Sequence, residues 1–263
     1  MRIPCMRASL LVNALLTLAL ESAHAGDLTF TGYARSLDTG ELLYIESHAV
    51  TDTGGAHEKR VVLYRCSADS SPFARKQLDY GAVRTAPAFD FNDARSGFAE
   101  GLIRDTRGLT VFARAGARAP LRAEPIDSAP QLVADAGFDE FVRDRWDSLE
   151  RGTVSKVPFV VPSLHQSVSF RVRKVDEANI EGDVASVIRL SLAGPLGWFL
   201  PDIDVSYRKR DRRLMRYRGL TNIRNAAGEL LAAQIDFPDE DRSNGTVDLA
   251  ALRALPLSTG CAN

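Results

Sequence analysis

The sequence predicts a mainly β protein: a single large antiparallel, strongly curved sheet, half-barrel or barrel-like, with one packed amphipathic helix. Apolar and polar residues alternate with period two along much of the chain, as in strands with one buried and one wet face. Clusters of Gly, Asn and Asp sit between these runs, where hairpins must turn. One segment changes period to the helical 3.6. A doubly wound α/β protein would instead show continuous apolar strands separated by helices.

Residues 1–25 read as a cleaved secretory signal. Arg2 and Arg7 give a positive start, residues 10–20 are apolar except for Asn13 and Thr17, and Ala23-His24-Ala25 places small residues where a signal peptidase reads. The apolar run is about 11 residues, whereas a spanning helix needs about 20, so a retained anchor is the weaker reading. Cys5 precedes that run, while a lipidated cysteine would follow it. Cleavage is expected between Ala25 and Gly26, and the expected location is the periplasm. The whole chain has 33 Lys and Arg against 34 Asp and Glu; losing Arg2, Arg7 and Glu21 leaves 31 against 33, a net charge of −2. That balance argues against nucleic acid as a partner. No later stretch is long and apolar enough to span a membrane, so an integral membrane protein is not expected after processing.

Residues 26–240 form the β-rich domain. Asp38-Thr39-Gly40 separates strands at 28–36 and 41–50, and Thr53-Gly54-Gly55 leads to a third at 59–66. Residues 105–108 turn between strands at 97–104 and 109–114. The Pro- and Ala-rich stretch 115–130 is the one internal seam. The helix follows at 138–151: Phe138, Phe141, Val142, Trp146 and Leu149 share a stripe, Asp139 and Glu140 suit the first turn, and Arg151-Gly152 closes it. Alternation resumes with Val168, Phe170 and Val172, then with Val184, Ile188, Leu190 and Leu192. Arg210-Asp211-Arg212 turns between strands at 204–209 and 213–220. Leu231, Ala233, Ile235 and Phe237 alternate over 229–237. The reading gives roughly ten to twelve short strands. Residues 241–263 form a C-terminal tail with a short helix at 247–255, capped by Thr246.

Cys66 and Cys261 survive processing. In an oxidising compartment such a pair is a candidate disulfide, and it would hold down a chain end that otherwise frays. Two free thiols are the alternative.

The segments FDFNDARSGFAEG (89–101), DAGFDEFVRDRW (135–146) and YRGLTNIR (217–224) resemble the pattern of a family of uncharacterised exported proteins of Gram-negative bacteria. The resemblance covers most of the mature chain. It implies export and a compact β fold, and it implies no activity, cofactor or site residue. The strand–helix–strand order is similar, in architecture alone, to the half-barrel of periplasmic lipoprotein carriers.

The chain has no GxSxG elbow, HExxH, P-loop, Rossmann glycine fingerprint or CxxC. His48, His57 and His165 lie far apart, and no metal site or cofactor is expected. Asp90, Asp93, Arg95 and Glu100 form the densest charged set. They read as an acid/base pair or a cation loop, though not at EF-hand spacing, or as a turn in which Asp caps amides and Arg95 pairs with an acid. Asp135, Asp139 and Arg143 follow one helix edge and suit local ion pairs, or, with Arg145, a partner site. Phe138, Phe141 and Trp146 with the loop residues Trp198 and Phe199 are the candidate contacts for a hydrophobic or lipid-like ligand, set against a core-and-plug role. The basic concentration 208–218 places Arg216 and Arg218 on one strand face, for phosphate groups or an envelope protein partner, or as a charge-guarded hairpin. The leading expectation is a periplasmic, non-enzymatic binding or carrier protein for an apolar or amphipathic ligand. An envelope structural or interaction module is the second. A hydrolase using Asp90, Asp93 and Glu100 is the third.

Overall fold

Alternation of this kind buries one strand face only, so successive hairpins must share a single covered side. The computed structural model describes residues 26–51, 58–81, 83–194 and 201–261, and its strands join into one 15-stranded antiparallel sheet. Strands β1 (Leu28–Ser36), β2 (Leu42–Thr51), β3 (Lys59–Arg65), β4 (Ala74–Asp79), β5 (Ala88–Asp93), β6 (Phe98–Asp105), β7 (Gly108–Arg114) and β8 (Arg122–Ile126) form one meander. Strands β9 (Ser155–Val161), β10 (Gln166–Ile180), β11 (Asp183–Leu192), β12 (Ile203–Arg208), β13 (Leu214–Arg224) and β14 (Leu230–Asp236) form a second. The meanders join where β1 pairs with β14, and β15 (Ser243–Asn244) adds to β1. The sheet is not closed: β8 and β9 are its two edges.

Register shifts at Ala34/Arg35, Lys174/Asp176, Ser206/Tyr207 and Leu220/Arg224 interrupt the ladders, and such bulges increase local twist and bend. Gly101 permits close packing in β6. A Cβ there would lie 2.2 Å from the Phe89 carbonyl oxygen and 2.5 Å from the Phe112 ring.

The sheet has more strands than the ten to twelve read from the sequence. The stretch 115–130 is no seam, because it contributes β8, paired along β7. Its residues lie at an edge and are almost all exposed, so no alternation marks them. Pro125 is tolerated there because an edge strand can lack a ladder donor.

The amphipathic segment forms two short helices, α1 (Gly137–Asp144) and α2 (Trp146–Glu150), broken at Arg145 (φ −103°, ψ 8°). Their common stripe still faces the sheet. Phe138, Phe141, Val142, Trp146 and Leu149 pack against Val157, Val172, Ile188, Val205 and Tyr207. A larger aromatic cluster, including Tyr44, Tyr64, Phe73, Phe91 and Phe98, fills the same inner face over β1–β7. On the outer face, α3 (Leu249–Ala254) sets Leu249 against Ala49, Val61 and Leu63. Its cap is Asp248, which accepts from the Ala251 amide at 2.9 Å, and not Thr246. Cys66 and Cys261 are joined as a disulfide beside this tail.

The chain between the two edges crosses the inner face. Leu132, Val133 and Ala134 are buried there. Val133 bridges to Phe159 of β9, donating to the Pro158 carbonyl at 2.9 Å and accepting from the Val160 amide at 2.8 Å. Ala134 donates to the Thr85 carbonyl at 2.9 Å. Gly137 completes this plug, since a Cβ there would meet the Thr85 oxygen at 2.1 Å. Among the described residues no helix is long and apolar enough to cross a membrane.

Candidate ligand-binding cleft

The plug decides where a ligand has room. Phe138, Phe141 and Trp146, read from the sequence as ligand contacts, are buried in the helix–sheet packing and line neither cleft described below. A wide apolar stripe on a short helix is consumed by docking. Trp198, Phe199 and His57 lie outside the described residues.

Asp90, Asp93 and Glu100 do not assemble into a catalytic group. Phe91 pairs with Glu100 across β5 and β6, and alternation turns Asp90 to the opposite, exposed face. Asp93 is buried and committed to Arg95, with Nη2–Oδ2 at 2.7 Å and Nε–Oδ1 at 3.1 Å. This is the turn-capping arrangement rather than an acid/base pair.

The basic concentration is neutralised by nearby acids. Arg216 donates to Asp236 at 2.5 Å. Arg208 meets Asp183, Asp211 and Asp239, and Arg210 meets Asp183. Arg212 reaches Asp147 and lies over the Trp146 ring. Arg218 is exposed on β13 opposite Asp204, whose carboxylate is held by Arg189 at 2.7 and 2.8 Å.

Polar residues occupy inward positions of the sheet. Lys76 Nζ lies 2.7 Å from Asp135 Oδ2, tying β4 to the plug. Glu46 and His48 bond at 2.9 Å, with the imidazole stacked 4.3 Å from the Phe30 ring. Burial lowers the His48 pKa. It raises that of Glu100 to about 7, helped by Asp135 and opposed by Lys76 and Arg224.

A cleft of about 230 Å³ opens at one end of this seam, beside the start of α1. Its apolar lining is Leu28, Phe30, Val50 and Leu214. Arg60, Arg143, Arg213 and Arg242 face it, with Glu58, Asp139 and Glu140 among them. The acids are already engaged. Glu58 accepts from Arg60 at 3.3 Å and Arg84 at 2.6 Å. Glu140 accepts from Arg84 at 2.9 Å and Arg143 at 2.6 Å, and these partners lower its pKa against the effect of burial. Asp139 accepts from the Tyr207 hydroxyl at 2.7 Å. Arg60 Nε and Arg213 Nε and Nη2 are buried without a hydrogen-bond partner.

A second cleft of about 350 Å³ lies between Phe98, Ala113, Pro120, Ser163, His165 and Arg224. Arg122 also lines it; Arg224 stacks 4.2 Å over Phe98 and donates to the Gly228 carbonyl at 2.7 Å, while its Nε and His165 Nε2 are buried without a partner among the described residues. The first cleft is the stronger site, because two of its four arginines, Arg60 and Arg213, are buried with unpartnered donors beside an apolar floor, whereas Arg224 of the second is only half-buried.

Sequence reasoning missed Arg60 and Arg242, and in the basic concentration 208–218 it singled out Arg216 and Arg218 rather than Arg213. Arg60 carried a readable signal: it shares the inward phase of β3 with Val62 and Tyr64, where a charge demands a partner. Arg213 lies in the basic concentration at a hairpin end, where its burial is not legible, and no local pattern marks Arg242 in the tail.

No family model matches the chain, and no curated protein does. The chain is similar to a β-barrel-like protein of the domain of unknown function DUF1849 from Brucella abortus, at 8% identity and TM-score 0.48, covering 82% of this chain and 99% of that one. It is also similar to a conserved protein from Thermus thermophilus, at 10% identity and TM-score 0.29 with 91% of both chains covered. A domain assigned to outer membrane lipoprotein sorting, from Vibrio parahaemolyticus, matches at 9% identity and TM-score 0.28 over 85% of this chain and 87% of that one. These are loose likenesses of shape, and the function is read from the cleft.

Proposed function

We propose that this chain is an exported, non-enzymatic binding protein for an amphipathic ligand, which it engages at the arginine-lined cleft. One observation carries the reading: Leu28, Phe30, Val50 and Leu214 form an apolar floor beside the buried guanidinium groups of Arg60 and Arg213. Apolar walls with a few convergent polar groups are the usual make-up of a small-molecule site. Ligand pockets usually run about 300–1,000 Å³, so this smaller cleft suits a headgroup and its adjoining carbons, with the rest of the molecule outside. The Cys66–Cys261 disulfide supports an oxidising, extracytoplasmic location.

Native mass spectrometry of protein purified from periplasm, followed by organic extraction, tests the reading. The expected result is a mature chain beginning at Gly26 that carries one extractable amphipathic molecule. A folded preparation with no bound molecule, which also takes up no added single-chain amphipath, would contradict it.

A further inference from the structure

We propose that the cleft selects an oxyanion head, a phosphate or carboxylate, held by Arg213 and Arg242 with Arg60 behind them. The inference rests on the cleft being the binding site and adds the charge and chemistry of what it holds. Arg213 is nine-tenths buried. Its Nη1 meets Asp239, while Nε and Nη2 are buried with no partner among the described residues. Arg60 spends Nη2 on Glu58 and leaves Nε unpartnered. Arg242 forms no ion pair among the described residues and lies 4.7 Å over the Phe30 ring. Buried charged donors left unpaired are unfavourable, so they mark where an acceptor belongs.

Arginines outnumber acids at this point, four to three on the cleft wall. Burial, then the neighbouring Arg213, and also Arg208 and Arg60, push the Arg242 pKa down to about 10, with Asp239 opposing. Every carboxylate on the cleft wall already holds a partner: Glu58 has Arg60 and Arg84, Glu140 has Arg84 and Arg143, and Asp139 has Tyr207. A cationic head would face four arginines, with Glu58 and Glu140 already paired to guanidinium groups and Asp139 alone of the three acids bonded only to a neutral hydroxyl. Guanidinium groups match oxyanions by paired N–H donors in one plane. Phe30 and Leu28 then receive the first carbons of the stem.

Isothermal titration of the mature full chain with octyl phosphate, octyl glucoside and inorganic phosphate tests this. The expected result is one octyl phosphate per chain, bound about tenfold or more tighter than octyl glucoside, as one or two charged hydrogen bonds would give. Arg242→Gln should bring the ratio of octyl phosphate to octyl glucoside affinity, both measured on the variant, down to near one. Arg242 is only partly buried, so this variant keeps the fold, and Arg213→Gln is read only where circular dichroism shows a native sheet. Inorganic phosphate binding as tightly as octyl phosphate would uphold the anion site and remove the amphipath from it. Equal affinity for phosphate and glucoside heads, or an unchanged Arg242→Gln, would overturn the oxyanion assignment while amphipath binding stands. No binding by any of the three would overturn both.

Discussion

Lys76 occupies an inward position of β4, and its ammonium group can be buried only because Asp135 meets it. Removing one partner of such a pair leaves the other charge stranded, at a cost of about 3–5 kcal/mol. Lys76→Met should therefore lower stability by that amount, and adding Asp135→Asn should recover most of it, as read from urea unfolding. Asn suits the site because residue 135 has φ +45°. Glu100 makes a pH prediction. Its pKa rises from 4.5 unfolded to about 7 folded, so between these values the folded state binds more protons. This group's contribution therefore falls as pH rises from about 4.5 to 7, by up to about 3 kcal/mol, and is level above that. Glu100→Gln should flatten this part of the stability–pH curve. An unchanged slope would show that Glu100 ionises normally. Alternation within β2 puts Glu46 and His48 in phase with Tyr44 and Val50, a pattern the sequence carries, whereas no strand is read over 74–79 and Lys76 goes unnoticed. The partner of Lys76 is not legible either, because it stands 59 residues away on a non-sheet segment.

At the scale of elements, the helical stripe was readable and its purpose was not. Phe138, Phe141 and Trp146 look alike whether they hold a ligand or fill a core; only the shape of the sheet beneath them decides. Leu149 is fully buried at the end of that stripe. Leu149→Ala should cost about 2–5 kcal/mol, while the exposed Leu164→Ala should change stability little, both measured by thermal unfolding. Strands with one covered face were legible from alternation, as β1 and β14 illustrate. Strand β8 escaped because an exposed edge buries neither face, and composition there suggested a seam.

For the whole molecule, two meanders meet at β1 and β14, and the chain between the outer edges turns inward to fill the curve. The disulfide closes a long loop, its cysteines 195 residues apart. Its removal by Cys66→Ser should cost about 2–5 kcal/mol, and reductant should shift the wild-type denaturation midpoint in the same direction. The inner face is occupied by the chain's own plug and helices, so the ligand proposed above would enter at the arginine-lined rim. Hydrogen–deuterium exchange of the mature chain with and without octyl phosphate tests this most directly. Added protection is expected around β1, the end of β2, the cleft-lining residues 139–143 of α1 and residues 213–214 and 242, with exchange in α2 and in the sheet beneath it unchanged. Altered exchange in α2 and the sheet beneath it would contradict this account, because the ligand would then be displacing the plug.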